Sequence, residues 1–489
     1  MCERYDHKDK YSIYKYAKDM IGKSFNQICD EEEIYFEREI SDTADRSDRS
    51  AYADAQRKGG LGDIIEDRYF HITPGNDAGP DFPEAELELK VTPYKINKNK
   101  SLSAKERLII SLINYMSIVD ADFYTSNAWE KIKNILLVWY LWSSEIENRL
   151  DYIISYVFLY SPSSEDLQII KNDYQKIRQK VIDGKAHELS EGDTLYLGAA
   201  TKASDSRRRT AQPFSTIPAR PRAFSFKNSY MTYVLRNYVV PTHEKVDKII
   251  RQPDFGEFEQ YILDKINAHV GKRDVDLFVE YFSKEKPNEK HKHSRLAFEI
   301  LGVKTKNAEE FEKANIVVKS VRVESLDRII ESVSFPAFKI SELVKENWED
   351  SSINQFFNET RFFFIIFERK GNDYYLAGAK FWNMPMKDIE GDLRTEWERA
   401  RDTFREGVKF STNDISSPVK NNLPKKSNTR ILHVRPHATR SAYLINGIKY
   451  GNGKLDRDAD LLPDGNRMTK QCFWLNNDYV LRQIADIIE

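Results

Sequence analysis

Apolar residues recur along this chain with two different periods, and each period marks a different kind of element. Ile13, Tyr16, Ala17, Met20 and Ile21 stand three and four apart, which predicts an amphipathic helix within the stretch up to Ile28. Residues 41–60 are polar without an apolar period and read as a loop or weak helix ending at Gly59-Gly60. A helical pattern resumes over Leu61–Phe70 around Ile64, Ile65 and Tyr69, and the Pro-, Gly- and Asp-rich residues 71–84 predict a turn. Over Ala85–Val91, Leu87, Leu89 and Val91 alternate with Glu86, Glu88 and Lys90, the period of a half-buried strand. Ser103-Ala104-Lys105-Glu106 has capping-box spacing and predicts an apolar helix through Tyr115. The run ILLVWYLW, Ile135 to Trp142, predicts a buried strand. A helix-like run spans 228–236, and a boundary between two halves falls near Val239-Val240-Pro241.

Composition narrows this picture. At 489 residues the chain is too long for one compact domain, and 40% hydrophobic residues suffice for packed cores. The longest apolar run is eight residues, too short for a membrane span, and no apolar leader follows Met1. Three cysteines (Cys2, Cys29, Cys472) form neither a disulfide framework nor a zinc spacing, so the expectation is a cytoplasmic protein. The net charge is only -2, so affinity for nucleic acid must come from a local patch. One exists at 202–227, where Lys202, Arg207, Arg208, Arg209, Arg220, Arg222 and Lys227 face the single acid Asp205, with three prolines opposing a helix.

The candidate chemistry lies upstream of that patch. Glu88 and Lys90 are two apart on the predicted strand and point to one face, and a bend at 81–84 returns Asp81 beside them. Two hard carboxylates with the Leu89 carbonyl between them suit magnesium, and a lysine alongside orients water or steadies charge at a phosphate. Alone, a fixed D-x6-E-x-K arises by chance roughly 0.3 times in a chain this long, and the same residues also read as a solvated strand face. The neighbours add context: Glu66 follows Lys58-Gly59-Gly60-Leu61-Gly62 on the predicted helix, and Lys131 stands just before the apolar strand. His291-Lys292-His293, within EKPNEKHKH, reads as a solvated loop.

In this order KGGLGDIIE (58–66), DFPEAELELKVTP (81–93), KIKNILLVW (131–139), LGAATKA (197–203) and RAFSFKNSYMTYVL (222–235) resemble the MutH-like endonucleases, a branch of the PD-(D/E)xK nucleases. The whole chain resembles the GATC-specific type II restriction endonucleases that carry two MutH-like halves. The resemblance implies an α/β fold of two tandem restriction-endonuclease-like domains, each a mixed central sheet flanked by helices. It implies Asp81 and Glu88 as magnesium ligands with the Leu89 carbonyl, Lys90 as the water-orienting lysine, Glu66 as a supporting acid and Lys131 near the scissile phosphate. It implies that Lys58 and Gly59 form a loop approaching DNA, and that Lys202, Arg222 and Lys227 contact DNA. Arg207, Arg208 and Arg209, between matched blocks, join them as backbone contacts. Ser225 stands where methyl-sensing relatives carry a bulky tyrosine, leaving room for a methylated adenine.

The second half reads as a diverged copy. Glu310-Phe311-x5-Val317-Val318-Lys319 matches Asp81-Phe82-x5-Glu88-Leu89-Lys90 at an offset of 229, and the offset grows to 249 at Phe473, Asn477 and Tyr479. Glu299 matches Glu66, and Glu359 reverses the charge of Lys131. Val317 cannot bind magnesium, whereas Arg435, His437, Arg440, Arg467 and Lys470 keep cations for phosphate. The expectation is therefore a catalytic domain over 1–238 and an inert DNA-binding effector domain over 245–489. The chain is expected to be a monomer when free, able to self-associate on double-stranded DNA, with up to two GATC sites per chain. The rival readings are a mismatch-repair strand nickase and a non-catalytic GATC-binding regulator.

Overall fold

The computed structural model of the protein describes residues 4–31, 60–72, 79–202, 207–241, 246–251, 255–283, 292–325, 328–329, 333–412 and 418–488. The chain divides into two compact units, Met1–Asp254 with Glu309–Asn315, and Phe255–Ala308 with Ile316–Glu489. The division departs from the expected one because residues 309–315 return to the first unit.

In the first unit, helix α1 (Lys10–Ala17) is capped by Asp9, whose carboxylate accepts from the amides of Tyr11 and Ser12. It buries Ile13 and Ala17, as its period predicts. Helix α2 (Gly60–Ile64) runs into a single π-turn, Ile65–Tyr69. The first sheet comprises β1 (Glu88–Ile96), β2 (Leu102–Ala104), β4 (Ile135–Leu141) and β5 (Ile154–Tyr160), in the order β2-β1-β4-β5. Strands β1 and β4 are parallel, with Glu88 opposite Ile135 and Lys90 opposite Leu137. Residues Ile135–Tyr140 are all buried because both faces of this strand are covered, which explains its unbroken apolar run.

Strand β3 (Leu108–Leu112) pairs with β9 (Arg222–Phe226), which also pairs with β6 (Leu197–Thr201). This corrects the helix expected over 103–115. Leu108 and Ile110 are buried between less buried neighbours, a period of two, and cross-strand pairing overrides a capping-box spacing that specifies only one turn. Between β6 and β9 stands a hairpin of β7 (Thr210–Gln212) and β8 (Ser215–Ala219). Helices α3 (Asn127–Ile132), α4 (Ser164–Ile182) and α5 (Asn228–Val234) complete the elements used below for this unit.

The returning segment is a further short helix, α7 (Glu309–Ala314), buried within the first unit. The Lys313 ammonium, 2% exposed, meets Asp166 Oδ1 at 2.7 Å and Oδ2 at 3.0 Å, and Glu309 Oε1 at 2.8 Å. The Tyr230 hydroxyl donates to the same Asp166, and Ser229 Oγ donates to the Lys313 carbonyl. Glu310 accepts from the amides of Ile249 and Ile250 at 3.0 and 2.9 Å.

The second unit repeats the plan. Strands β10 (Ile316–Ser325), β11 (Arg328–Ile329), β13 (Arg361–Lys370) and β14 (Asp373–Trp382) are ordered β11-β10-β13-β14, with β10 and β13 parallel and the outer pairs antiparallel. A second sheet places β16 (Gln471–Leu475) between β12 (Ser334–Ala337) and β15 (Leu432–Pro436), as β9 lies between β3 and β6. His293, expected in a solvated loop, lies on helix α6 (Lys292–Ile300), 5% exposed, with Nε2 at 2.9 Å from Asp274. The apolar side of that helix draws it inward. Each unit thus has the mixed sheet flanked by helices that an α/β nuclease fold requires. Among the described residues, no helix is long and apolar enough to cross a membrane.

Candidate active site

The site is assembled by a turn, a strand and two helices of the first unit. Phe82 and Leu87 exchange backbone hydrogen bonds at 2.9 and 3.1 Å across the turn 83–86, folding the chain back on itself. That fold-back brings Asp81 against the start of β1, where its Oδ2 accepts from the Leu89 amide at 2.8 Å. The bend expected at 81–84 is thus formed. Asn134, which no sequence signal singled out, pins the turn: its side chain donates to the Glu86 carbonyl and its carbonyl accepts from the Glu88 amide.

Glu88 is 0% exposed, and two ammonium groups converge on it. Lys90 donates to Oε1, and Lys131, from the last turn of α3, lies 3.1 Å from Oε1 and 3.2 Å from Oε2. Burial raises the Glu88 carboxyl above the usual glutamate range, against the downward pull of Lys90 and Lys131. Glu66 sits on the π-turn, an irregularity that often re-aims a side chain at a functional site. Burial first, then the negative charge of Asp81, pushes its carboxyl up to about 7. Asp81, Glu88, Glu66, Lys90 and Lys131 therefore form one electrostatic cluster.

The donor chemistry fits magnesium. Asp81 and Glu88 offer hard oxygens. Among the described residues no three His, Cys, Asp or Glu side chains stand close enough to hold a metal ion. A cation here would draw its other ligands from main chain and water, which magnesium accepts readily.

The raised Glu66 pKa has a consequence for stability. Its folded value lies above its unfolded one, so the contribution is full below about 4.5 and is lost as pH rises through about 7. Without divalent cations, Glu66→Gln is expected to stabilise the protein at pH 8 by roughly 1–2 kcal/mol, allowing for solvent screening. The gain should fade toward pH 5. Thermal melts at the two pH values check this; an equal gain at both would remove the titration argument.

The other expected site residues are scattered. Lys58 and Gly59 lie outside the described residues. Lys202 is exposed just after β6, and Arg207, Arg208 and Arg209 are exposed on the approach to β7. Three further residues expected at the DNA are buried. Arg222 is 4% exposed and donates to the Ala199 carbonyl, and burial pushes its guanidinium down to about 10. Lys227 is 1% exposed and donates to the Thr194 carbonyl. Ser225 is 0% exposed, its Oγ without a hydrogen-bond partner. Arg222 and Ser225 stand on β9, the central strand of its sheet, and Lys227 follows it directly, so all three lie among protein neighbours.

In the second unit, Arg435, His437 and Arg440 are exposed, while Arg467 and Lys470 are half-buried. The His437 amide donates to the Lys470 carbonyl at 2.7 Å, and Arg435 lies opposite Cys472 across the strand pair, so these two cations and His437 gather at one strand end. The positions matched to Glu88 and Lys90 have different surroundings here. Val317 faces the core with Phe362 and Phe364, and burial lowers the Lys319 amine with no acid to offset it. Glu310, matched to Asp81, is tied to backbone amides within the first unit.

Residues 70–173 match the family model described as the DNA mismatch repair enzyme MutH. The chain is 35% identical over 515 aligned residues to the type II restriction enzyme Sau3AI of Staphylococcus aureus, covering 98% of this chain and 99% of that protein. It is 23% identical to the DNA mismatch repair protein MutH of Vibrio campbellii, covering 46% of this chain and 92% of that protein. The MutH protein of Actinobacillus pleuropneumoniae is 25% identical over 37% of this chain and 79% of its own.

Proposed function

Because the chain belongs to the MutH-like nucleases, in the family of the type II restriction enzymes, we propose that it makes magnesium-dependent double-strand breaks in DNA at GATC. The observation that carries this reading is the convergence of Lys90 and Lys131 on the buried Glu88, beside Asp81. GATC itself rests on the family resemblance.

Asp81 and Glu88, with the Leu89 carbonyl, would hold magnesium, whose charge eases the build-up of negative charge at the scissile phosphate. The chain's own residues do the rest. Lys90 orients the attacking water, and Lys131 exchanges its carboxylate partner for the phosphate. Glu66, ionised above about neutral pH, adds a supporting negative charge. Lys202, Arg207, Arg208 and Arg209 contact the DNA backbone, and Lys58 and Gly59 approach it.

The second unit is read as an inert effector that binds a second site through Arg435, His437, Arg440, Arg467 and Lys470. Val317 in place of a carboxylate supports its inertness. A chain with one hydrolytic site cuts one strand at a time, so a double-strand break needs two chains or two successive events. Supercoiled plasmids carrying one or two GATC sites, incubated with magnesium, test the reading. Linear product is expected, formed faster from the two-site plasmid and rescued on the one-site plasmid by a short GATC duplex. Persistent nicked circles would point to a mismatch-repair nickase, and no cleavage to a DNA-binding regulator. Equal rates on both plasmids would remove the effector role.

A further inference from the structure

The hairpin of β7 and β8 combines a strained turn with an exposed aromatic tip. Gln212 pairs with Ser215, so Pro213-Phe214 is a two-residue connection. Proline fixes the first position, and Phe214 follows with φ +61°, the second-position geometry of a type II turn, where glycine or asparagine is the usual occupant. A bulky residue in the left-handed region is strained. Phe214 is also 72% exposed, and Ile217 on the same hairpin is 52% exposed. The turn thus bears backbone strain and exposes a large apolar ring.

The support beneath this tip is rigid. The Gln212 side chain, 6% exposed, accepts from the Ala186 amide at 2.8 Å and donates to the Ile217 carbonyl at 2.5 Å. A Cβ at Gly184 would meet the Phe214 carbonyl oxygen at 2.6 Å, so the turn is seated directly on the 184–187 loop. Arg207, Arg208 and Arg209 precede the hairpin and Arg220 follows it.

We propose that this hairpin is a DNA-reading ribbon whose tip, Phe214, packs against bases in the groove while the flanking arginines take the phosphates. The proposal rests on the endonuclease reading above and adds a base-contacting residue to it. A two-stranded ribbon fits the major groove, apolar side chains supply contacts that carry no charge, and arginine neutralises the backbone. Strain retained at an exposed position is explained when a partner uses the side chain that causes it.

The test is the Phe214→Gly variant of the full chain, titrated with a GATC duplex without divalent cation over a salt series. Glycine relieves the strained turn, so the variant should melt at least a degree higher than the unaltered protein. It should nevertheless bind DNA about tenfold more weakly, with the salt dependence unchanged. Arg208→Ala should instead flatten the slope of log K against log salt by about 0.9. Unchanged affinity in Phe214→Gly would overturn the proposal, as would a loss of affinity accompanied by a lower melting temperature. If the unaltered chain binds no duplex, the endonuclease reading fails, and the DNA-reading ribbon fails with it.

Discussion

Replacing Glu88 with alanine should lower single-turnover cleavage by roughly a thousandfold or more, about 4 kcal/mol of barrier, while DNA binding holds. Asp81→Ala should do the same. The two losses have different local causes. Removing Glu88 deletes the buried carboxylate that Lys90 and Lys131 share and leaves two ammonium groups facing one another. Removing Asp81 deletes the acceptor of the Leu89 amide and loosens the fold-back before β1. The freed cations favour phosphate, so Glu88→Ala should bind DNA at least as tightly as the unaltered chain. Single-turnover assays with magnesium, alongside binding isotherms and thermal melts, decide the matter. Magnesium-dependent cleavage within tenfold of the unaltered rate in either folded variant would place the chemistry elsewhere.

The second large effect is an asymmetry between two lysines at equivalent positions in matching strands. Lys90 and Lys319 lie opposite Leu137 and Phe364 in parallel strand pairs of the same sheet order. Lys90→Ala should reduce cleavage roughly a hundredfold or more, the range typical of a positioned proton-handling group. Lys319→Ala should leave single-turnover cleavage intact, because Val317 offers no carboxylate beside it. Moreover, Lys319→Met should raise the melting temperature, since a partly buried amine without a counter-charge is replaced by an apolar chain of similar length. Loss of cleavage in a well-folded Lys319→Ala protein would overturn the inert-copy reading.

Much of this site is legible in the linear sequence, for identifiable reasons. The alternation from Glu86 to Val91 sets which side chains share a face, and the Pro-rich bend before it sets the return of Asp81. The duplicated plan is legible in an offset that drifts from 229 to 249, because both sheets keep their strand order. The burial of Arg222, Ser225 and Lys227 is not legible in the sequence, because charge and size do not say whether a strand is central or at an edge; the β3-β9-β6 pairing decides that. The helix expected over 103–115 failed for a related reason: its strand partner, β9, lies more than a hundred residues away. No local pattern announces that 309–315 joins the first unit, since the partner that holds Lys313 is Asp166.

That return has a consequence for inheritance. The two units are interleaved in sequence, so no single crossover in the 240s separates their genes cleanly. A chain ending at Asp254 would keep Asp166 with its Tyr230 hydrogen bond and lose the Lys313 ammonium that pairs with it. Stranding one partner of a buried pair costs about 3–5 kcal/mol, a large share of the 5–15 kcal/mol that holds an ordinary domain folded. Recombination between related chains at that point would unite the Asp166 of one parent with the Lys313 of another, and survives only where both parents kept the pair. Exchange of one half for another is therefore expected to succeed only when residues 309–315 travel with the first half.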